Sequence, residues 1–127
     1  MISGGCLCGA IRFETSAEPA FALMCHCTDC QKISGAVAYA AYVVPLDQLN
    51  VIAGDPAHFD VQAQSGRINS RHFCTNCGTR VWAVLAELGM ASVNGMALDN
   101  RTHFRPMANH MPESAPTWCA FGDLPTR

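Results

Sequence analysis

Cys25-His26-Cys27-Thr28-Asp29-Cys30 places three thiols within six residues. The stretch follows Phe21-Ala22-Leu23-Met24, whose alternation predicts a strand. Carried through the cysteines, that alternation puts Phe21, Leu23, Cys25 and Cys27 on one side and Ala22, Met24 and His26 on the other. His26 is thereby turned away from its two neighbours and set aside as their fourth ligand. Cys30 returns from a short turn, in which Thr28 and Asp29 are turn and cap residues. Gln31 to Gly35 is a polar exit that stops at the glycine. Three sulfurs brought together this closely point to a metal held by thiolates, and zinc suits such a set.

The chain has eight cysteines, and seven of them have only one or two residues between them and another. Such neighbours are poorly placed to bond to each other and repeat the spacings that metals use. From Cys6 to Thr15 the pattern again alternates. Leu7, Ile11 and Phe13 share one face, and Cys6, Cys8, Arg12 and Glu14 share the other. A C-x-C pair in that strand would aim both sulfurs the same way. Cys74-Thr75-Asn76-Cys77-Gly78 has the form of a zinc knuckle, with a glycine free to take the left-handed backbone angle after the turn. Cys6, Cys8, Cys74 and Cys77 therefore make one complete set of four. A four-thiolate zinc has no vacant position and is structural.

Cys25, Cys27 and Cys30 are left with Cys119 as the remaining thiol. If Cys119, His103 or His110 closes the set, it is a second structural zinc. If the fourth position is open, the site is catalytic. Zinc with three thiolates is net anionic, so activating water is not its natural task. It favours a soft ligand, and a thiol bound there is held as its thiolate, ready to attack a carbonyl. An open site thus points to adducts between a thiol and an aldehyde.

The rest of the chain supplies short strands. Ala36 to Val44 is apolar on both faces and predicts a central strand. Pro45 to Leu49 suits one helical turn. Val51 to Ala53, His58 to Gln64, Arg67 to Phe73, Arg80 to Ala86 and Met90 to Asn94 predict further strands. From Met96 to Arg127 there is little periodicity, which predicts ordered loops. No long helix is visible, so the class is mainly β. At 127 residues the chain suits a single domain over 1–127. A charge of −2, from 8 basic and 10 acidic residues, leaves no footprint for nucleic acid or an acidic membrane surface. No apolar run approaches the ~20 residues of a membrane span. Met1 to Cys6 lacks the features of an export signal, and the expectation is a cytoplasmic protein. Lys32, Arg71 and Arg80 read as surface charges unless they serve a carboxylate-bearing substrate. Trp82 and Trp118 read as core or pocket wall, and Cys119 as a buried thiol.

These motifs resemble the glutathione-dependent formaldehyde-activating (Gfa-like) family. The resemblance lies in Gly5-Cys6-Leu7-Cys8-Gly9, in Cys25-His26-Cys27 with Cys30 and Lys32-Ile33-Ser34-Gly35, and in Phe73-Cys74-Thr75-Asn76-Cys77-Gly78-Thr79. Pro116-Thr117-Trp118 and Asp123-Leu124-Pro125 resemble the family's end. It implies a β-tent-like fold of several small, coiled antiparallel sheets stapled by zinc. It implies two zinc ions: a structural one on Cys6, Cys8, Cys74 and Cys77, and a catalytic one on Cys25, Cys27 and Cys30. It also implies a carbon–sulfur lyase that condenses formaldehyde with glutathione. The competing readings are a non-catalytic, zinc-stabilised binding module and a thiol redox enzyme using Cys119.

Overall fold

In the computed structural model, which describes residues 1–119 and 125–127, the apolar run that begins at Ala36 becomes strand β4 (Tyr39–Pro45). Its side chains are buried on both faces because a layer covers each side of its sheet. Among the described residues ten strands form two sheets. The smaller joins β1 (Ile2–Gly5), β2 (Arg12–Thr15) and β5 (Leu49–Ala53) in the order β1-β2-β5. The larger holds β3 (Phe21–Cys25), β4, β6 (Ala57–Gln62), β7 (Ile68–Phe73), β8 (Arg80–Leu85), β9 (Met90–Asn94) and β10 (Ala108–His110). Its order is β10-β3-β4-β9-β8-β7-β6. Every pairing is antiparallel except β10 with β3. The mainly β class is thus the observed one.

The main core lies between the small sheet and one face of the large sheet. Phe13 from the former, with Ile11 just before β2, meets Tyr42, Val44, Val81, Trp82 and Val93 from the latter. Phe13 and Trp82 meet edge to face with ring centroids 5.9 Å apart, a favoured aromatic geometry. The opposite face of the large sheet carries a smaller cluster of Tyr39, Ala41, Val43 and Cys30, flanked by Phe21, Leu23, Cys25 and Cys27. The alternation expected for β3 therefore holds. Ala22 and Met24 face the main core, and Phe21, Leu23 and Cys25 face the smaller cluster.

Three local expectations need correction. The segment from Cys6 to Thr15 is not one strand. β1 ends at Gly5, and a turn carries Cys6 to Gly9 before β2 begins at Arg12. The Gly9 amide donates to the Cys6 carbonyl at 3.0 Å and the Cys6 amide to Ile11 at 3.1 Å, so backbone groups are satisfied within the turn. Leu7, expected on one face with Ile11 and Phe13, is instead 89% exposed in the turn while those two are buried. The turn after Cys27 is instead a short helix, α1 (Thr28–Ser34), which also takes up the supposed polar exit. The Cys27 sulfur caps it by accepting from the Cys30 amide at 3.2 Å, and Gly35, at φ 71°, ends it. The late chain is mostly loop but forms β10, whose parallel pairing with β3 seats His110 opposite Cys25. Of the tail motif, Asp123 and Leu124 lie outside the described residues. Among the described residues no helix is long and apolar enough to cross a membrane.

Candidate metal centres

Two turns of similar build bring Cys6, Cys8, Cys74 and Cys77 together. In the late turn, between β7 and β8, the Cys74 amide donates to the Thr79 carbonyl at 3.0 Å and the Gly78 amide to the Cys74 carbonyl at 2.8 Å. Gly78 has φ 78° and Gly9 has φ 82°, a backbone region costly for any residue with a Cβ. Thr79 joins the two turns, because its hydroxyl accepts from the Leu7 amide at 3.1 Å and bonds the Cys77 sulfur at 3.2 Å. That hydroxyl is the main reason the Cys77 thiol is lowered to about 5. The Ile11 amide donates to the Cys6 sulfur at 3.2 Å.

The sulfur spacing tests the fit to a metal. Cys6 and Cys8 sulfurs are 3.5 Å apart, and Cys8 and Cys74 sulfurs 3.7 Å. A tetrahedral zinc with Zn–S bonds of about 2.3 Å sets its sulfurs about 3.8 Å apart. A disulfide would need about 2.05 Å, and all eight cysteines are free. All four ligand atoms lie within 4.8 Å of one another. The set can hold a metal ion, and its all-sulfur donors suit zinc.

Cys25, Cys27 and Cys30 form the second set, again with their sulfurs within 4.8 Å of one another. The Cys25 and Cys30 sulfurs are 3.5 Å apart, so this set also fits zinc-like spacing. Cys25 comes from the end of β3, Cys27 from the cap of α1, and Cys30 from its first turn. Gln31 locks this arrangement by donating to the carbonyls of His26 at 2.7 Å and Ser114 at 2.9 Å. The three sulfurs share charge unevenly. Hydrogen bonds from Cys25 and then Cys30 lower the Cys27 thiol to about 2, with Arg71 adding to the effect. Contacts with the Cys27 sulfur and then the Cys30 sulfur, together with burial, push Cys25 up.

Among the described residues no fourth His, Cys, Asp or Glu joins the second set. His26 is buried on the far side and bonds Asn109 at 3.0 Å through Nε2. His110 Nδ1 accompanies the Arg127 carbonyl at 2.9 Å, and His103 is exposed. Cys119 stands outside both sets and is half-buried rather than buried. Trp82 is in the core, whereas Trp118 is 75% exposed at the rim of a groove of about 520 Å³. Thr28, Gln31, Lys32 and Gly35 of α1 and its cap form the other wall of that groove, and Thr28 directly follows Cys27 in the chain.

Arg71 and Arg80 are not surface charges. Arg71 is 3% exposed and Arg80 8%. Arg71 stands in β7 opposite Ala83, which stands opposite Ser92 in β9, so small side chains leave room for the guanidinium across that row. It donates through Nη1 to the Cys30 sulfur at 3.6 Å. Burial alone would lower its pKa, but the Cys30 charge beside it makes the net direction upward. Arg80 lies over the Tyr39 ring at 4.8 Å, and burial pushes its pKa down. Spacing in the sequence carries no sign of either role, because the register that faces Arg71 to the sulfurs is set by pairing with distant strands.

The profile of a family described as glutathione-dependent formaldehyde-activating enzyme matches residues 1–114. No curated protein matches the chain. A crystal structure of a Rhodobacter sphaeroides protein superposes with a TM-score of 0.59 at 24% identity, covering 77% of this chain and 88% of that one. That likeness concerns the fold alone. All seven cysteines of the two sets fall inside the matched residues, and the chain belongs to the glutathione-dependent formaldehyde-activating enzyme family.

Proposed function

We propose that residues 1–127 form a single zinc-binding domain that makes or cleaves adducts between a glutathione-like thiol and a formaldehyde-like aldehyde, as a carbon–sulfur lyase of the cytoplasm. The observation that supports this most is the inequality of the two sulfur sets. Cys6, Cys8, Cys74 and Cys77 are four and would close a structural zinc. Cys25, Cys27 and Cys30 are three, with no fourth ligand among the described residues. Zinc on those three supplies a soft acceptor that keeps an incoming thiol deprotonated at neutral pH.

In the forward reaction the thiol sulfur bonds to the aldehyde carbon, the thiol gives up its proton, and the carbonyl oxygen gains one. The chain's own part is placement. Gln31 holds the cysteine loop against the late chain, and the Cys30 amide holds the Cys27 sulfur. The groove between α1 and Trp118 is lined by Thr28, the residue after Cys27, and has room for the body of a tripeptide-sized thiol. Lys32 in its wall offers an ammonium to a substrate carboxylate.

The test is zinc stoichiometry with sulfur coordination number by X-ray absorption, with and without glutathione. Two zincs per chain are expected, one gaining a sulfur when glutathione is added. Cys27→Ser is expected to abolish glutathione-dependent consumption of formaldehyde while the chain stays folded and keeps its four-sulfur zinc. Two zincs already at four sulfurs, indifferent to glutathione, would overturn the proposal.

A further inference from the structure

Among the described residues the two buried arginines have no carboxylate partner. Among the described residues the ion pairs are Arg12 with Asp99 and His58 with Asp60, both near the surface. All three guanidinium nitrogens of Arg80 are buried without a hydrogen-bond partner, and so is Nε of Arg71. The acidic side chain whose charge reaches Arg71 is Asp29, which is exposed. Burying a cation is strongly unfavourable unless an anion answers it. Arg71 Nη1 lies 3.6 Å from the Cys30 sulfur, and Arg80 lies over the ring of Tyr39, the residue opposite Cys25, so the sulfurs of the three-cysteine set, as thiolates on a metal, are the anions that would answer both cations.

The balance of charge then bears on ligand choice. Zinc with three thiolates carries one net negative charge, and the two guanidiniums exceed it. One more anion in the centre brings the buried charge to neutrality, whereas a neutral ligand leaves it positive. We propose that Arg71 and Arg80 make the exchangeable position of the three-cysteine centre selective for anionic ligands, so that a thiolate or small anion binds there in preference to a neutral donor. This rests on the reading that a metal sits on Cys25, Cys27 and Cys30 with a position to spare. Both are positioning residues, acting through the sulfurs and the field around them. The bias is specific to this surrounding, because without neighbouring cations a further anion on a metal bearing three thiolates adds to the net negative charge instead of cancelling a positive one.

Cobalt(II) in place of zinc gives the readout, since its visible bands report each new ligand. The protein is titrated with azide as the anion and imidazole as the neutral donor. Arg80→Met is expected to weaken azide binding about tenfold or more while imidazole changes less than about twofold, on the scale of one unscreened charge in a protein interior. Arg80→Lys restores most of the azide affinity, and Arg71→Met behaves as Arg80→Met does. Equal azide affinity in wild type and Arg80→Met, or parallel loss of azide and imidazole, overturns the selectivity and leaves the exchangeable site standing. Bands that respond to neither ligand in the wild type overturn both the site and the selectivity. If the methionine variants do not fold, the wild type decides: tighter azide than imidazole is expected, and the reverse order overturns the proposal.

Discussion

Thr79 shows how much can rest on one hydroxyl. It accepts from Leu7 in one turn and bonds Cys77 in the other, so it orients two of the segments that bring the four sulfurs together. Groups that orient metal ligands typically alter affinity 10–100-fold. Thr79→Ala is therefore expected to weaken zinc retention at the four-cysteine site by about tenfold or more in competition with a chromophoric chelator. Thr79→Ser should recover most of the loss, and an unchanged affinity would refute the role. At this scale the sequence is legible unevenly. Cysteines announce themselves because ligand spacing is a local property. Arg71 and Arg80 do not, because burial depends on what stands opposite them. Ala83 and Ser92 make room beside Arg71 only after three strands have paired in register.

α1 is too short to be stable alone, since isolated helices need roughly 12–15 residues. Its order comes from its ends and from Gln31. The cap is a cysteine sulfur, the stop is Gly35, and Gln31 ties the first turns to His26 and Ser114. Gln31→Ala deletes two side-chain hydrogen bonds, each worth about 0.5–1.5 kcal/mol. The amides from Cys30 to Ser34 should then exchange hydrogen roughly tenfold faster or more, with β8 and β9 little changed. Equal acceleration everywhere would mean that Gln31 supports the whole fold rather than the helix. The strands were legible where apolar residues run or alternate, as in β3, β4 and β8. The Cys6–Gly9 turn was not, because its residues alternate in chemical type while their backbone folds back on itself. Alternation records which residues are apolar, and a metal-ligand turn can satisfy that pattern without being extended.

At the scale of the molecule, the small sheet meets the large one through Phe13 and Trp82 and through the paired sulfur turns. Removing metal from the four-cysteine site would release the turn between β1 and β2 from the turn between β7 and β8. Metal binding of this kind contributes directly to folding free energy. Chelation at neutral pH is expected to lower the melting temperature by about 10 °C or more, and restoring zinc should reverse it. A melting curve indifferent to the chelator, with zinc shown to be gone, would mean that the core alone holds the sheets. The two sulfur sets also differ in when they can exist. Cys25 and Cys30 stand 5 positions apart, whereas Cys8 and Cys74 stand 66 apart. At synthesis rates of about 5–20 residues per second, the first pair of thiols waits roughly 3–13 s for its partners. During that interval the nascent chain presents Cys6 and Cys8 to whatever soft metal or oxidant it meets. A protein that is stapled when finished is thus exposed while being made, and its yield in a cell should follow zinc supply and redox balance during translation.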